Sequence, residues 1–156
     1  MNIEITAAEK KDKSVLRQLL ELYDHDFSEF TKEDVNEHGL YNYPYLDNYW
    51  TDKHRYPFFI KVDGNYAGFV LVSYWKDRYQ ITEFFVMRKY RKMNVGGVAA
   101  KYIFELYKGD WKVDVLNVNL PALPFWRKVI DEYTNGDYIY SCEPAEDWVS
   151  YTFCSK

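Results

Sequence analysis

The chain has 156 residues, a length that suits one domain with room for a substantial core. Hydrophobic residues make up 47% and charged residues 28%, so we expect a single globular domain over residues 1–156. The net charge of −4 argues against a general nucleic-acid-binding protein, because phosphate binding requires a basic surface.

No apolar run approaches the ~20 residues of a membrane span, and the N-terminus lacks the apolar centre of a signal peptide. Cys142 and Cys154 occur without a CxxC motif, so we expect two free thiols in a reducing cytoplasm. With three histidines and no HExxH motif, a metal site has little support. We therefore expect a cytoplasmic protein with no metal and no membrane association.

The first predicted elements are a strand and two helices. Apolar alternation predicts a strand over residues 2–6, and helical spacing predicts a helix over residues 13–23. The Asp-His-Asp sequence at residues 24–26 is expected to end this helix, and a second, shorter helix is predicted within residues 27–35.

An aromatic segment over residues 41–57 follows, and its prolines and asparagines argue against long regular structure. One interpretation is that its rings cover the open edge of a small core. The other is that they form a wall of a binding site, since tyrosine supplies flat area and a hydroxyl at low entropic cost. The sequence favours neither.

The remaining elements alternate between strands and helices. Three antiparallel strands are predicted over residues 58–62, 66–75 and 79–87, and Asp63-Gly64-Asn65 is a strong hairpin signal between the first two. A helix that opens at residue 95 and ends by residue 109, a strand over 111–118, a helix over 120–133 and strands over 138–141 and 148–154 complete the order.

The most informative stretch runs from residue 84 to residue 98, where an apolar strand passes through a basic turn into an amphipathic helix. A helix start leaves backbone N–H groups unpaired and carries about half a positive charge. Glycines at 96 and 97 let an anion approach, and the cations of the turn strengthen the attraction. The arrangement suits a diphosphate, although neither GxxxxGK[ST] nor GxGxxG is present.

This stretch resembles the signature [QR]-x-x-G-x-[GA] of the GNAT superfamily of acetyl-CoA-dependent N-acetyltransferases. The match is RKMNVG at residues 91–96, with Asn94 where the family usually has glycine. Asparagine tolerates positive φ best after glycine, so we expect the turn to form. A second family signature, N-x-x-A-x-x-[FL]-Y, resembles NLPALPFW at residues 119–126, with Trp126 in place of tyrosine.

The resemblance implies the GNAT fold, an α/β (α+β) domain with a central mixed, mostly antiparallel sheet of about seven strands. Helices would flank this sheet, and its fourth and fifth strands would be splayed apart. Acetyl-CoA would be the co-substrate, with its pantetheine arm in the splayed gap and its diphosphate on the turn. The residues thus implied for cofactor binding are Phe84, Phe85, Val86, Arg91, Lys92, Met93, Asn94, Val95, Gly96, Gly97, Asn119 and Trp126.

The implied reaction is direct attack of a primary amine on the acetyl thioester, which requires a base to deprotonate the amine. Glu83 is the first candidate and Asp114 the second. Each also has an ordinary interpretation: Glu83 as a solvent-facing residue or a partner of Arg78 or Lys61, and Asp114 as an outward-facing strand residue. Trp126 occupies the position of the family's usual tyrosine acid, but tryptophan cannot transfer a proton, so the acid is unassigned.

The sequence does not identify the acceptor. Acidic residues near the implied acceptor groove favour a cationic small-molecule amine, although they are equally typical of a net-negative surface; they are Asp24, Asp26, Glu29, Asp47 and Asp52. The sequence leaves the oligomeric state open, although aromatic residues within 138–153, if exposed, would support a strand-mediated homodimer. The alternative function is a non-catalytic GNAT-fold sensor or interaction module that binds an acyl-CoA, and the tryptophan at position 126 favours it.

Overall fold

The computed structural model describes all 156 residues of the chain. Its strands and helices are β1 (Ile3–Ala7), α1 (Lys13–Thr31), α2 (Asn48–Thr51), β2 (Arg55–Val62), β3 (Asn65–Trp75), β4 (Arg78–Val86), α3 (Val95–Leu106), β5 (Gly109–Leu116), α4 (Ala122–Thr134), β6 (Ile139–Ser141) and β7 (Trp148–Ser155). Short 3-10 turns precede α1 and α3. Each of the seven predicted strands is present, with its ends shifted by a few residues.

The seven strands form one mixed sheet in the order β1-β2-β3-β4-β5-β7-β6. Neighbouring strands are antiparallel except β4 and β5, which run parallel and are joined through α3. The β4–β5 ladder contains only Tyr79 opposite Trp111 and Gln80 opposite Lys112. Beyond these residues the two strands are not paired, so the splayed sheet that the resemblance implied is confirmed.

Apolar side chains cover both faces of the sheet and divide the core in two. On one face, α3 and α4 pack against buried residues such as Trp111 of β5. On the other face, α1 and the segment that contains α2 cover β2 to β4. The core on this face includes Leu16 of α1, Tyr49 of α2 and Phe69 of β3. No residue of β5, β6 or β7 belongs to this second core. The splay between β4 and β5 therefore lies where the second core ends.

Helix α1 is longer than the sequence predicted. The prediction of a break at residues 24–26 is wrong, and no separate helix forms within residues 27–35, because the chain is helical without interruption to Thr31. The second helix of the expected order is instead the single turn α2, which lies within the aromatic segment.

Aromatic packing explains why α1 continues. Tyr23 stacks on Phe27 at a centroid distance of 5.1 Å, and Phe27 meets Phe30 at 5.8 Å, so the apolar stripe runs through the expected break. The charge of Asp26 is compensated by two arginines. Aspartate in a helix interior costs less than about 1 kcal/mol, which these contacts outweigh. The helix ends at Thr31, and the next residue, Lys32, adopts a left-handed conformation with φ of 60°.

The aromatic segment divides between the two roles considered for it. Leu46 and Tyr49 are buried in the second core, and the Trp50 indole N–H donates to the Ala8 carbonyl at 2.9 Å. The core-covering interpretation is therefore confirmed for these residues. Tyr43 instead reaches the carboxylate of Glu83.

Both cysteines are free, as the sequence predicted, and both are exposed. Cys142 follows the last residue of β6, and Cys154 lies in β7. None of the helices combines the length and apolar character needed to cross a lipid bilayer.

A β-bulge in β4 sets the direction of the Glu83 side chain. The register passes from Ile81 opposite Val72 to Glu83 opposite Leu71, so Thr82 is the extra residue. Ile81 packs on the core beneath α3 and α4, whereas Leu71 belongs to the core beneath α1. Because directly opposed residues of a strand pair share a face, Glu83 is directed toward α1.

Candidate active site

The gap between β4 and β5 exposes backbone groups of β4. The Met87 N–H donates to the Ala67 carbonyl of β3, and the Phe85 carbonyl is directed at Gly68 of the same strand. Successive peptide groups of a strand point in opposite directions. The N–H and C=O groups of Phe84 and Val86 therefore face the gap, where no strand pairs with them.

The turn after β4 leads directly into α3. Lys92 and Asn94 both adopt positive φ, at 62° and 60°, and α3 begins at Val95 as predicted. The expectation that Asn94 takes the left-handed conformation in place of glycine is confirmed. The helix start presents unpaired backbone N–H groups beside the gap, the geometry that suits an anion.

The two glycines at the start of α3 serve packing first. A Cβ on Gly96 would lie 3.1 Å from the ring of Phe125, and one on Gly97 would lie 2.5 Å from Oδ1 of Asn94. A side chain at either position would therefore point into the protein and not toward an approaching anion. A side chain at position 96 would be directed at Phe125.

The guanidinium of Arg91 is held by the protein itself. Its Nε donates to the Val86 carbonyl at 2.7 Å, and its Nη2 lies 2.6 Å from Oδ2 of Asp26. Arg88 contributes a second ion pair to Asp26, at 2.8 Å. Burial tends to raise the pKa of Asp26, but the hydrogen bonds from Arg88 and Arg91 outweigh it and lower that pKa below its usual value. The positive charges of Arg88 and Arg91 thus compensate the negative charge of Asp26.

Glu83 is partly buried and lies among tyrosine hydroxyls. Tyr23 of α1 donates to Oε2 at 2.5 Å, and Tyr43 approaches Oε1 at 3.4 Å. Burial raises the pKa of Glu83 to about 7, although both tyrosine hydrogen bonds oppose this rise and the charge of Asp24 adds to it. The alternative of a pair with Lys61 does not form, because the ammonium of Lys61 lies over the Tyr66 ring.

A third tyrosine completes this group. The Tyr49 hydroxyl is buried near Tyr43 and Thr82, yet it has no hydrogen bond of acceptable geometry. We name Tyr23, Tyr43 and Tyr49 the tyrosine cluster. Sequence reasoning missed it, since Tyr23 was assigned to a helix stripe and the other two to an aromatic segment of undecided role.

Asp114 forms no hydrogen bond with the tyrosine cluster. It is exposed on β5, where it accepts a hydrogen bond from Ser150 and forms an ion pair with Lys112 at 3.2 Å. The outward-facing interpretation describes this placement. Its alternation with buried Val113 and Val115 was the available signal.

The second signature begins α4. The carbonyl of Asn119 accepts the N–H of Ala122 at 3.0 Å, which positions the first turn of the helix. Trp126 is buried with 6% of its surface exposed. Its ring packs against Phe84 at 4.9 Å and Phe125 at 5.0 Å. Trp126 thus ties α4 to the strand that borders the gap.

The acidic residues near the implied groove differ in their surroundings. Asp47 pairs with Lys13, and Asp52 lies 3.6 Å from Arg55. Asp24 is partly buried, and burial raises its pKa to about 6, with contributions from two neighbouring carboxylates. Of these acids, Asp24 is the one whose charge acts directly on Glu83.

The overall fold of the chain is shared with solved acetyltransferase structures. An acetyltransferase from Thermus thermophilus matches with a TM-score of 0.73 at 13% identity, over 99% of this chain and 97% of that one. The PaiA N-acetyltransferase from Thermoplasma acidophilum, in complex with coenzyme A, matches at 0.66 and 12% identity, over 97% and 98%. The spermidine N-acetyltransferase from Vibrio cholerae, in complex with CoA and spermine, matches at 0.70 and 10% identity, over 98% and 95%. These structures define the class as acetyltransferase-fold proteins.

The chain belongs to the Acetyltransferase (GNAT) family, whose sequence profile matches residues 16–130. This range includes most of α1, the strand meander, the turn and most of α4. No curated protein sequence matches the chain significantly.

Proposed function

We propose that the protein transfers an acetyl group from acetyl-CoA to a primary amine of a small-molecule acceptor. The observation that carries this proposal is Glu83, a partly buried carboxylate with a pKa of about 7 beside the open strand pair. A base with this pKa is half ionised at neutral pH and still accepts a proton from an amine. Family membership supports acetyl transfer, and CoA occupies two of the structures with this fold.

The donor would lie along the gap. Its pantetheine amides would pair with the N–H and C=O of Phe84 and with the N–H of Val86 in the manner of an added strand, since Arg91 already donates to the Val86 carbonyl. The diphosphate would lie on the backbone N–H groups of residues 92–97, where the α3 dipole favours an anion. We assign Asn119 to the opposite side of the arm. Most of these contacts are made by backbone, so the shape of the turn matters more than its side chains.

Glu83 would act on the acceptor amine. An ammonium of pKa ~10.4 must lose a proton before its nitrogen attacks the carbonyl carbon of the thioester. Glu83 accepts this proton directly or through one water. The C–S bond then breaks, coenzyme A leaves as a thiolate, and the new amide nitrogen releases its second proton. Asp114 is the weaker candidate, because Lys112 and Ser150 already engage it.

The leaving group would need no acid from Trp126. A thiol has a pKa of ~8.5, so the thiolate departs far more readily than an alkoxide. Solvent then protonates it. Trp126 would serve the reaction by holding Phe84 in place through their contact at 4.9 Å.

A cationic acceptor is favoured by the charges near Glu83. Asp24 lies close enough to raise the pKa of Glu83, and both carboxylates are partly buried. A second ammonium on the acceptor would lower the electrostatic cost of ionising them together. One structure with the same fold is a spermidine acetyltransferase bound to spermine, which agrees with a polyamine-like amine.

The test is thiol release from acetyl-CoA across a panel of primary amines, which includes diamines, polyamines, amino sugars and a lysine peptide. We expect amine-dependent release that is fastest with a small polycation. The rival function is a sensor that binds acyl-CoA without chemistry, and the burial of Trp126 in the core favours it. Binding of acetyl-CoA without amine-dependent release across the panel would support the sensor.

A further inference from the structure

Side-chain hydrogen bonds join helix α1 to β4 and to the turn that follows β4 at two points, one helical turn apart. Tyr23 donates to Glu83 at the first point, and Asp26 accepts hydrogen bonds from Arg88 and Arg91 at the second. Residues 84–86, to which the proposed function assigns the pantetheine arm, lie between these points in the chain. The position of α1 is therefore tied to both ends of that segment.

Arg91 makes most of the contacts at the second point. Its Nε donates to the gap-facing carbonyl of Val86 at 2.7 Å, and its guanidinium carbon lies 5.8 Å from the centre of the Phe85 ring. The guanidinium is planar and rigid, so a carboxylate that holds one edge sets the direction of the other. Asp26 holds that edge at 2.6 Å, with 20% of its own side chain exposed.

We infer that Asp26 is a positioning residue for cofactor binding, acting through Arg91. By fixing the guanidinium, it holds the end of β4 and the first residue of the turn in the geometry that the diphosphate requires. The inference rests on the proposed function. It assigns Arg91 a role in shaping the site, whereas a direct ion pair between Arg91 and phosphate would require Asp26 to release it.

If Asp26 instead weakens cofactor binding, its removal should change the affinity for coenzyme A in the opposite direction. If Asp26 only neutralised cations that would otherwise bind phosphate, its removal would strengthen CoA binding, because the local positive charge would rise. If Asp26 positions Arg91, its removal weakens binding despite that added charge. The direction of the change in affinity therefore separates the two roles.

The experiment is isothermal titration of coenzyme A into the wild type, Asp26→Asn and Glu29→Gln. Glu29 is the matched control, because it lies one turn further along α1 and acts on Arg88 without forming an ion pair. We expect Asp26→Asn to raise the Kd about tenfold and Glu29→Gln to leave it within about twofold. Wild-type protein that binds no coenzyme A would count against the proposed function itself, separately from this inference.

A double-mutant cycle tests whether Asp26 acts through Arg91. Arg91→Lys keeps the charge but lacks the planar fork, so it should weaken binding about as much as Asp26→Asn. The two changes together should cost little more than either alone. Circular dichroism checks that each variant is folded, and Asp26→Glu provides a variant that keeps the carboxylate if Asp26→Asn unfolds. Unchanged or tighter binding in Asp26→Asn, or fully additive effects, would overturn the inference.

Discussion

Glu83 illustrates how neighbours tune a carboxylate. Burial beneath α1 raises its pKa, while the hydroxyls of Tyr23 and Tyr43 donate to it and limit the rise to about 7. The result is a group that changes charge near neutral pH. The unpaired hydroxyl of Tyr49 nearby leaves one further hydrogen bond available in this cluster.

Glu83→Gln tests the base directly. We expect kcat/KM for the amine to fall about 10²- to 10⁴-fold, because glutamine cannot accept the proton. The wild-type rate should rise as the pH passes through about 7 and Glu83 ionises, and this rise should be lost in the variant. Asp114→Asn is the control and should change the rate only a few-fold. A pH profile that is altered by Asp114→Asn but not by Glu83→Gln would transfer the role to Asp114.

The same substitution should stabilise the protein at alkaline pH. The pKa of Glu83 is raised in the folded state, so protonation favours folding. The stabilisation from protonated Glu83 is fully present below the unfolded-state pKa of ~4.3 and is lost as the pH rises through about 7. The free energy of unfolding of Glu83→Gln should therefore be ~1–2 kcal/mol higher than that of the wild type at pH 8, with little difference at pH 4. Urea denaturation at both pH values measures this. A difference that is larger at pH 4 would show that the sign is wrong.

The sequence located this carboxylate but not its surroundings. Glu83 was recognisable as the only charged residue in an apolar stretch of β4. The bulge at Thr82, which turns Glu83 toward α1, left no sequence signal that we detected. Tyr23 and Tyr43 come from segments that are distant in the chain, and their convergence depends on tertiary packing.

At the scale of elements, the contact between β3 and β4 controls the gap. Gly68 lies so close to β4 that an added Cβ would be 1.9 Å from the Phe85 carbonyl oxygen. Since this oxygen belongs to backbone, the two strands would have to separate. The peptides on either side of Phe85 are those of Phe84 and Val86, which face the gap.

Gly68→Ala should therefore affect stability and cofactor binding together. We expect a loss of about 3 kcal/mol in the free energy of unfolding, at the upper end for overpacking, and a higher KM for acetyl-CoA. Gly64→Ala is the control: it has positive φ of 79° but no atom within 4 Å of its Cβ. It should cost only ~1–2 kcal/mol and leave KM unchanged. An alanine at position 68 that is tolerated as well as the one at position 64 would contradict the strand contact.

The elements themselves were largely predictable. The strands of the meander follow from apolar runs separated by hairpin residues, and the β4-turn-α3 unit follows from an apolar strand, a basic turn and an amphipathic helix pattern. The length of α1 was not predictable from local signals, because Asp26 reads as a helix terminator until its arginine partners are known. The short α2 was missed because prolines and asparagines surround it.

At the scale of the molecule, one of the two cores ends at the β4–β5 boundary. The core beneath α1 ends at β4, and the core beneath α3 and α4 continues to β7. Because β4 and β5 share only two residue pairs, the sheet opens between the helices that carry Tyr23 and Trp126. The donor would enter this opening, and the acceptor would approach it from the side of α1.

A crystal structure with coenzyme A bound tests this account most directly. The account predicts the pantetheine arm between β4 and β5, with amide hydrogen bonds to Phe84 and Val86. It also predicts the diphosphate oxygens at about 3 Å from backbone N–H groups within residues 92–97. Coenzyme A bound elsewhere on the protein, or a gap closed by β4–β5 pairing in its presence, would contradict it.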